Sequence, residues 1–377
     1  MFDQLLSLFR TLAGQTGVGH FWWGNLLMIV VGTTMVFLAI VKRYEPFLLL
    51  GIGFSCIVVN VPGSDLILPG GLFHYAYQGV ALLIVPPLIF LGVGAMTDFG
   101  PMIASPKLVL LGAGAHLGIF VALILAKLIG FSISESGAIG IIGGADGPMA
   151  IFVTMKLAPH LLPQISVAAY SYMALMPLIQ PPVMRLLTSK AEREIGMKKV
   201  REVTRLEKIL FPIAIATLVN LFFPPVAPLV TMLMLGNLLR ESLVVGHLAE
   251  TAGGSILGIM TLVLTTAIGS TMKADTFLTV RTLEIVGLGL VAFVFGTGSG
   301  VITAKLMNLC LKEKINPLIG SAGIASVPIA ARVSHIEAHK ANPKNYLIYH
   351  AMGPNLAGVF GTAISGGIML ALLGVGR

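Results

Sequence analysis

Charge is scarce in this sequence: Asp, Glu, Lys and Arg make up 11% of its 377 residues, whereas a soluble domain carries about a quarter. With a hydrophobic share of 56% and a mean hydropathy of +0.94, that scarcity excludes an ordinary soluble globule and points to an integral membrane protein. Cysteine is nearly absent too. Cys56 and Cys310 stand far apart without metal-ligand spacing, which argues against a disulfide framework and a thiolate metal centre. The acids are few, 16 against 24 Lys and Arg, yet the resulting +8 does not call for nucleic acid. Eight of the 24 basic residues fall between Arg185 and Lys208, against four acids, and such a bias marks a cytoplasmic loop.

What fills the chain is apolar runs. A span takes about 20 residues, so an all-α fold of about ten spans fits, some of them interrupted. Residues 1–19 have an early acid and no basic n-region, and read as an interfacial segment rather than a cleaved signal. Residues 20–187 and 209–377 form two membrane halves, separated by the basic loop 188–208. The first span, His20 to Val41, has Trp22 and Trp23 at one interface and Lys42-Arg43 at the other. Tyr77 to Met96 is expected to be kinked or broken by Pro86-Pro87. His116 reads as a packed polar residue inside a span, and Asn237, Arg240 and Glu241 as a helix-end cluster.

The stretch Gly143-Gly144-Ala145-Asp146-Gly147-Pro148 interrupts the apolar segment Ile139 to Val153. A carboxylate at membrane depth costs at least ~2.5 kcal/mol on the most lenient scale and usually marks an ion path. Backbone groups freed by Gly and Pro survive there only inside protein or beside a wet cavity. Upstream, Ser132-x-x-Glu135 has the form of a capping box, starting a half-helix to about Ile142. Pro148 suits the first turn of a second half-helix running to about Leu157. The two helix ends would meet beside Asp146, as at the cation sites of secondary transporters.

Two later stretches invite comparison. Asn316 to Pro328 is apolar, rich in small residues and bounded by prolines, so it reads as re-entrant or discontinuous. Gly353-Pro354-Asn355 repeats the Gly-Pro pattern in the second half, and is expected to break a helix and pair with Gly147-Pro148. Asp146 and Asn355 would then offer one anionic and one neutral oxygen, ligands that suit a small hard cation.

GGADGP followed by AIFVT, then VAAYSYMALMPLIQPP, NPLIGSAGIASVPIAARVS and HAMGPN, resembles the β subunits of the sodium-pumping biotin-dependent decarboxylases, from about Trp22 onward. The resemblance implies a multi-pass bacterial inner-membrane protein with inverted repeats, a scaffold and a core, and transport by alternating access. It implies carboxybiotin decarboxylation coupled to Na⁺ export. The implied partners are a carboxyltransferase, a biotin carrier and a small membrane anchor subunit, in an oligomeric complex. Asp146 becomes the main sodium-linked carboxylate, with Asn355, Asn316 and Ser326 as further sodium ligands. Tyr172 is implied in proton handling and Arg332 in holding the substrate carboxylate. Gly143, Gly144, Gly147, Pro148, Gly320, Gly353 and Pro354 shape the site. The family pattern has serine two residues after the glycine, whereas this chain reads Gly323-Ile324-Ala325-Ser326, one residue later. A sodium-coupled carboxylate transporter without chemistry is the alternative the residues allow.

Overall fold

The computed structural model describes residue 14 and residues 16–198 and 200–374, so most of the interfacial segment expected over 1–19 lies outside the described residues. Every regular element among the described residues is helical. Six helices are long and apolar enough to cross a membrane, or seven if the pair Leu72–Ala81 and Val85–Met96 is one broken span. Pro46–Val59 and Gly147–Leu157 are shorter and also apolar. Large apolar side chains such as Phe47, Leu128 and Phe222 are exposed, as lipid contact requires.

The Tyr77–Met96 stretch is broken, but before its prolines. Leu83 takes a left-handed φ of 58°, and Pro86-Pro87 then sit in the first turn of Val85–Met96, where their missing amides leave no helical bond unmade.

The chain packs as two compact units, each drawing on both halves of the sequence. One takes in the chain up to Val85 together with Ile259–Glu284. In it, Trp23–Val41 lies against Pro46–Val59 with Gly32 and Gly53 at the contact. Asn60 ties this unit together. Its amide nitrogen donates to the Cys56 and Met272 carbonyls at 2.8 and 2.7 Å, and its oxygen accepts from the Ala274 amide at 2.9 Å. Cys56 and Cys310 are both free.

The other unit comprises Pro86–Gly258 and the chain from Ile285 onward, and holds every candidate site residue. Small residues let its helices touch at the backbone, a packing that gains dispersion contact without large side chains. A Cβ on Gly94 would lie 1.9 Å from the Leu233 carbonyl oxygen, and one on Gly236 would lie 2.0 Å from that of Leu91. At the end of the same pair, Asn237 donates to the Thr97 carbonyl at 2.8 Å, Arg240 to that of Met96 at 2.7 Å, and Lys208 pairs with Asp98 at 2.8 Å. Asn237 and Arg240 thus tie off a helix end.

The basic loop is pinned by ion pairs, Lys198 to Glu313 at 2.6 Å and Lys305 to Glu192 at 3.1 Å. Arg185, at the end of the preceding helix, holds Glu337 through two bonds of 2.7 and 3.0 Å, and Lys340 adds a third at 2.7 Å. Burial pushes Glu337 upward, but its bonds to Arg185 and Lys340 outweigh this and hold the carboxyl below the usual range.

Candidate functional site

The Ser132 capping box forms: the Ser132 amide donates to Glu135 at 2.7 Å and its hydroxyl accepts from the Glu135 amide at 3.2 Å. It starts helix Ile133–Gly140, which tightens into a 3₁₀ turn over Ile141–Gly144. Ala145 then adopts a left-handed conformation, φ 53° and ψ 38°. That residue makes the break, and Asp146 follows in extended geometry as the cap of Gly147–Leu157. Asp146 accepts the Met149 amide at 3.1 Å and is 7% exposed. One amide and the half-charge of a helix N-terminus are a thin counterweight for a buried carboxylate.

The glycines serve close approach. A Cβ on Gly147 would lie 2.1 Å from the Tyr170 ring, and one on Gly144 would lie 2.6 Å from the Thr362 side chain. Gly143 abuts the Gly118–Ile119 backbone. Tyr170 is buried against Gly147 with its hydroxyl unpartnered.

The expected partner of this break, Gly353-Pro354, does not break anything. Helix Ile348–Leu373 runs unbroken through Pro354, which corrects the expectation of a second interruption there. Pro354 only deletes the amide that would bond the carbonyl one turn earlier, and neighbouring helices hold the rest in line. The discontinuous counterpart is Asn316–Pro328. There a four-residue helix, Leu318–Ser321, gives way to turns before Ile329–Ala341 begins. The two discontinuous segments are joined directly, because the Ala325 amide donates to the Gly144 carbonyl at 2.9 Å. Thus Ala325, at the position where the serine is displaced, contributes its backbone.

Asn355 spans this junction from the continuous helix. Its amide nitrogen donates to the Ala322 carbonyl at 3.0 Å, to that of Ile324 at 2.6 Å and to that of Ser326 at 3.5 Å. With the nitrogen so engaged, Oδ1 is left buried without a hydrogen-bond partner. Gln180 is arranged likewise: its nitrogen donates to the Ser321 carbonyl at 3.0 Å, and its buried oxygen is unpartnered. Ser326 donates to the Met176 sulfur at 3.0 Å.

The remaining predicted residues lie in other settings. Asn316 donates to the Arg193 and Ile195 carbonyls at 2.8 and 2.9 Å, and its oxygen accepts from the Leu318 amide at 3.0 Å. These contacts fasten the basic loop. Gly320 meets Gly300: a Cβ on either would lie 2.1 Å from the other's carbonyl oxygen. The Tyr172 hydroxyl donates to the Val286 carbonyl, and its ring lies 5.4 Å from that of Phe293. Arg332 is exposed on Ile329–Ala341 and makes no ion pair among the described residues.

Three residues, Thr362, Tyr170 and Gln180, escape a sequence reading, and His116, expected as a packed polar residue, has a contact that does. His116 lies with Nδ1 at 2.5 Å from the Gly112 carbonyl and Nε2 at 2.7 Å from the Thr362 hydroxyl. Thr362 in turn lies 3.4 Å from the Gly144 carbonyl, so His116 supports the break through it. Tyr170 and Gln180 complete the set. Their only sequence signal is a lone polar atom in an apolar helix.

Comparison with known proteins gives the family. The family described as "Na+-transporting oxaloacetate decarboxylase beta subunit" matches residues 24–373. The glutaconyl-CoA decarboxylase β subunit of Acidaminococcus fermentans is 52% identical over 99% of both chains. The methylmalonyl-CoA decarboxylase β subunit of Propionigenium modestum is 52% identical, over 93% of this chain and 95% of the relative. The oxaloacetate decarboxylase β chain 2 of Salmonella typhi is 44% identical, over 97% and 98%. The chain belongs to this family of decarboxylase β subunits.

Proposed function

We propose that this chain is the membrane subunit in which loss of CO2 from carboxybiotin drives Na⁺ across the bacterial inner membrane. The bond between the carboxyl carbon and the ureido nitrogen of biotin breaks, the electron pair stays on nitrogen, and one proton is taken up there. Na⁺ is cargo, and Asp146 and Asn355 are its ligands. The observation that carries this assignment is the unpartnered, buried Oδ1 of Asn355 at the junction of the two discontinuous segments. A buried amide oxygen without a donor is costly, and a hard cation relieves it without needing a hydrogen. The same cation offsets the thinly compensated Asp146 carboxylate. Ser326 and Asn316 are the further ligands implied by the resemblance, and Asn316, whose amide groups are already engaged, is the weaker of the two.

Tyr172 is the proton donor in this scheme. The hydroxyl hydrogen that the Val286 carbonyl now holds is the one it gives to the ureido nitrogen. Arg332 receives the carboxylate of carboxybiotin: its guanidinium is planar, always charged and without an ion-pair partner among the described residues. An inverted-repeat scaffold with a core that carries these residues gives alternating access. The partners are a carboxyltransferase, a biotin carrier and a small membrane anchor in an oligomeric complex. The higher identity to the glutaconyl-CoA and methylmalonyl-CoA β subunits favours an acyl-CoA as the carboxyl donor.

Proteoliposomes containing the purified complex test the scheme. Asp146→Asn eliminates sodium transport and sodium-dependent CO2 release together, and sodium-stimulated turnover in that variant contradicts the assignment. Tyr172→Phe leaves the complex assembled and lowers decarboxylation at least ~100-fold, the scale of a lost general acid. Full turnover in Tyr172→Phe removes it as the donor.

A further inference from the structure

Three loops of the unit that holds the site line an open cavity of about 580 Å³, with Lys107, Lys198 and Lys314 in its walls. Glu313 is the one carboxylate among its described lining residues, and Lys198 engages it at 2.6 Å. Lys107 and Lys314 are left in surplus, with no ion pair among the described residues, so the cavity is net cationic. It lies beside the basic loop, on the face that the charge bias places in the cytoplasm. His350 forms part of the wall. This histidine is 8% exposed and its Nδ1 is buried without a hydrogen-bond partner. A second cavity of about 540 Å³, which includes Arg201 and Lys208, is also lined by His350.

His350 stands in the first turn of Ile348–Leu373, five residues before Asn355. At 1.5 Å per residue the two are roughly 7–8 Å apart along one helix axis. A cationic pocket with a histidine ring in its wall suits a small anion. The carbamate head of carboxybiotin and the bicarbonate formed by hydration of the released CO2 share that chemistry, a small planar carboxylate.

We propose that this cavity binds such a carboxylate on the cytoplasmic side of the sodium site, apart from Arg332, with Lys107 and Lys314 attracting it and the His350 ring walling it in. The inference rests on the carboxybiotin reading above, and goes beyond it by assigning residues outside the set the family resemblance implies.

The test uses the purified complex with free carboxybiotin as substrate, so that docking of the carrier protein does not enter. The variants are Lys107→Glu with Lys314→Glu, the matching double arginine change, and His350→Asn. Steering charges of this kind change productive encounter by about tenfold or more. If the carbamate is the occupant, charge reversal and His350→Asn each raise KM for carboxybiotin about tenfold, with a smaller loss of kcat, and the arginine pair restores it. If bicarbonate is the occupant, KM stays put and inhibition by added bicarbonate weakens about tenfold instead. Either result supports the site. Unchanged KM together with unchanged bicarbonate inhibition overturns it. A wild-type complex that releases no CO2 from carboxybiotin counts against the functional reading and not against the cavity.

Discussion

Gly147-Pro148 and Gly353-Pro354 are the same dipeptide in two apolar helical segments, yet the first sits at a break and the second inside an unbroken helix. The difference lies in what surrounds each. Before Gly147, Ala145 turns left-handed and Asp146 caps the new helix, so the proline falls in a first turn where its missing amide is not needed. The carbonyl freed at Gly144 finds the Ala325 amide. Gly353-Pro354 has no such cap or partner segment, and the chain bears one absent hydrogen bond and stays helical. A break in a membrane helix is therefore made by groups that satisfy the released backbone, and Gly-Pro merely permits it.

Substitutions at the two sites sharpen this contrast. Gly147→Ala puts a methyl 2.1 Å from the Tyr170 ring, and overpacking of this kind costs about 1–3 kcal/mol or more. A thermal-unfolding midpoint well below wild type, with loss of sodium-dependent turnover, is expected. Asn355→Ala removes the donor shared by the Ala322 and Ile324 carbonyls and costs about 1–3 kcal/mol. It also raises the sodium concentration for half-maximal decarboxylation. An unchanged sodium dependence would mean that the continuous helix supplies no ligand. Glu337→Gln, far from either dipeptide in role, costs about 1–2 kcal/mol through its weakened bonds to Arg185 and Lys340. Because the folded carboxyl lies below its ordinary value, its contribution is complete above pH ~4.3. It fades as pH falls through the depressed value, so acid unfolding curves of wild type and Glu337→Gln converge at low pH. Gly353→Ala is the smallest: its methyl meets the Pro101 carbonyl oxygen at 3.3 Å, and the gain in helix propensity, about 1 kcal/mol, offsets the crowding. Activity within twofold of wild type is expected, and a loss matching that of Gly147→Ala would erase the contrast.

Local signals were legible in the sequence. The Ser132 capping box, the half-helices on either side of Asp146 and the helix-end contacts of Asn237 and Arg240 depend on residues a few positions apart. The discontinuity of Asn316–Pro328 was legible in its small residues and bounding prolines, but its pairing with the break at Asp146 was not. Asn316–Pro328 is held by backbone contact, as at Gly320 and Gly300, and such packing leaves no periodicity to read. Nor do lone polar atoms announce their neighbours, which is why Tyr170, Gln180 and the His116–Thr362 contact escaped notice. Gly353-Pro354 misled because sequence identity at a dipeptide says nothing about who receives the freed carbonyl.

Equilibrium binding of radioactive sodium to the purified complex, without carboxybiotin, tests the assigned site most directly. The account predicts saturable binding in wild type, none in Asp146→Asn, and about tenfold weaker binding in Asn355→Ala. Sodium binding of wild-type strength in both variants would contradict it.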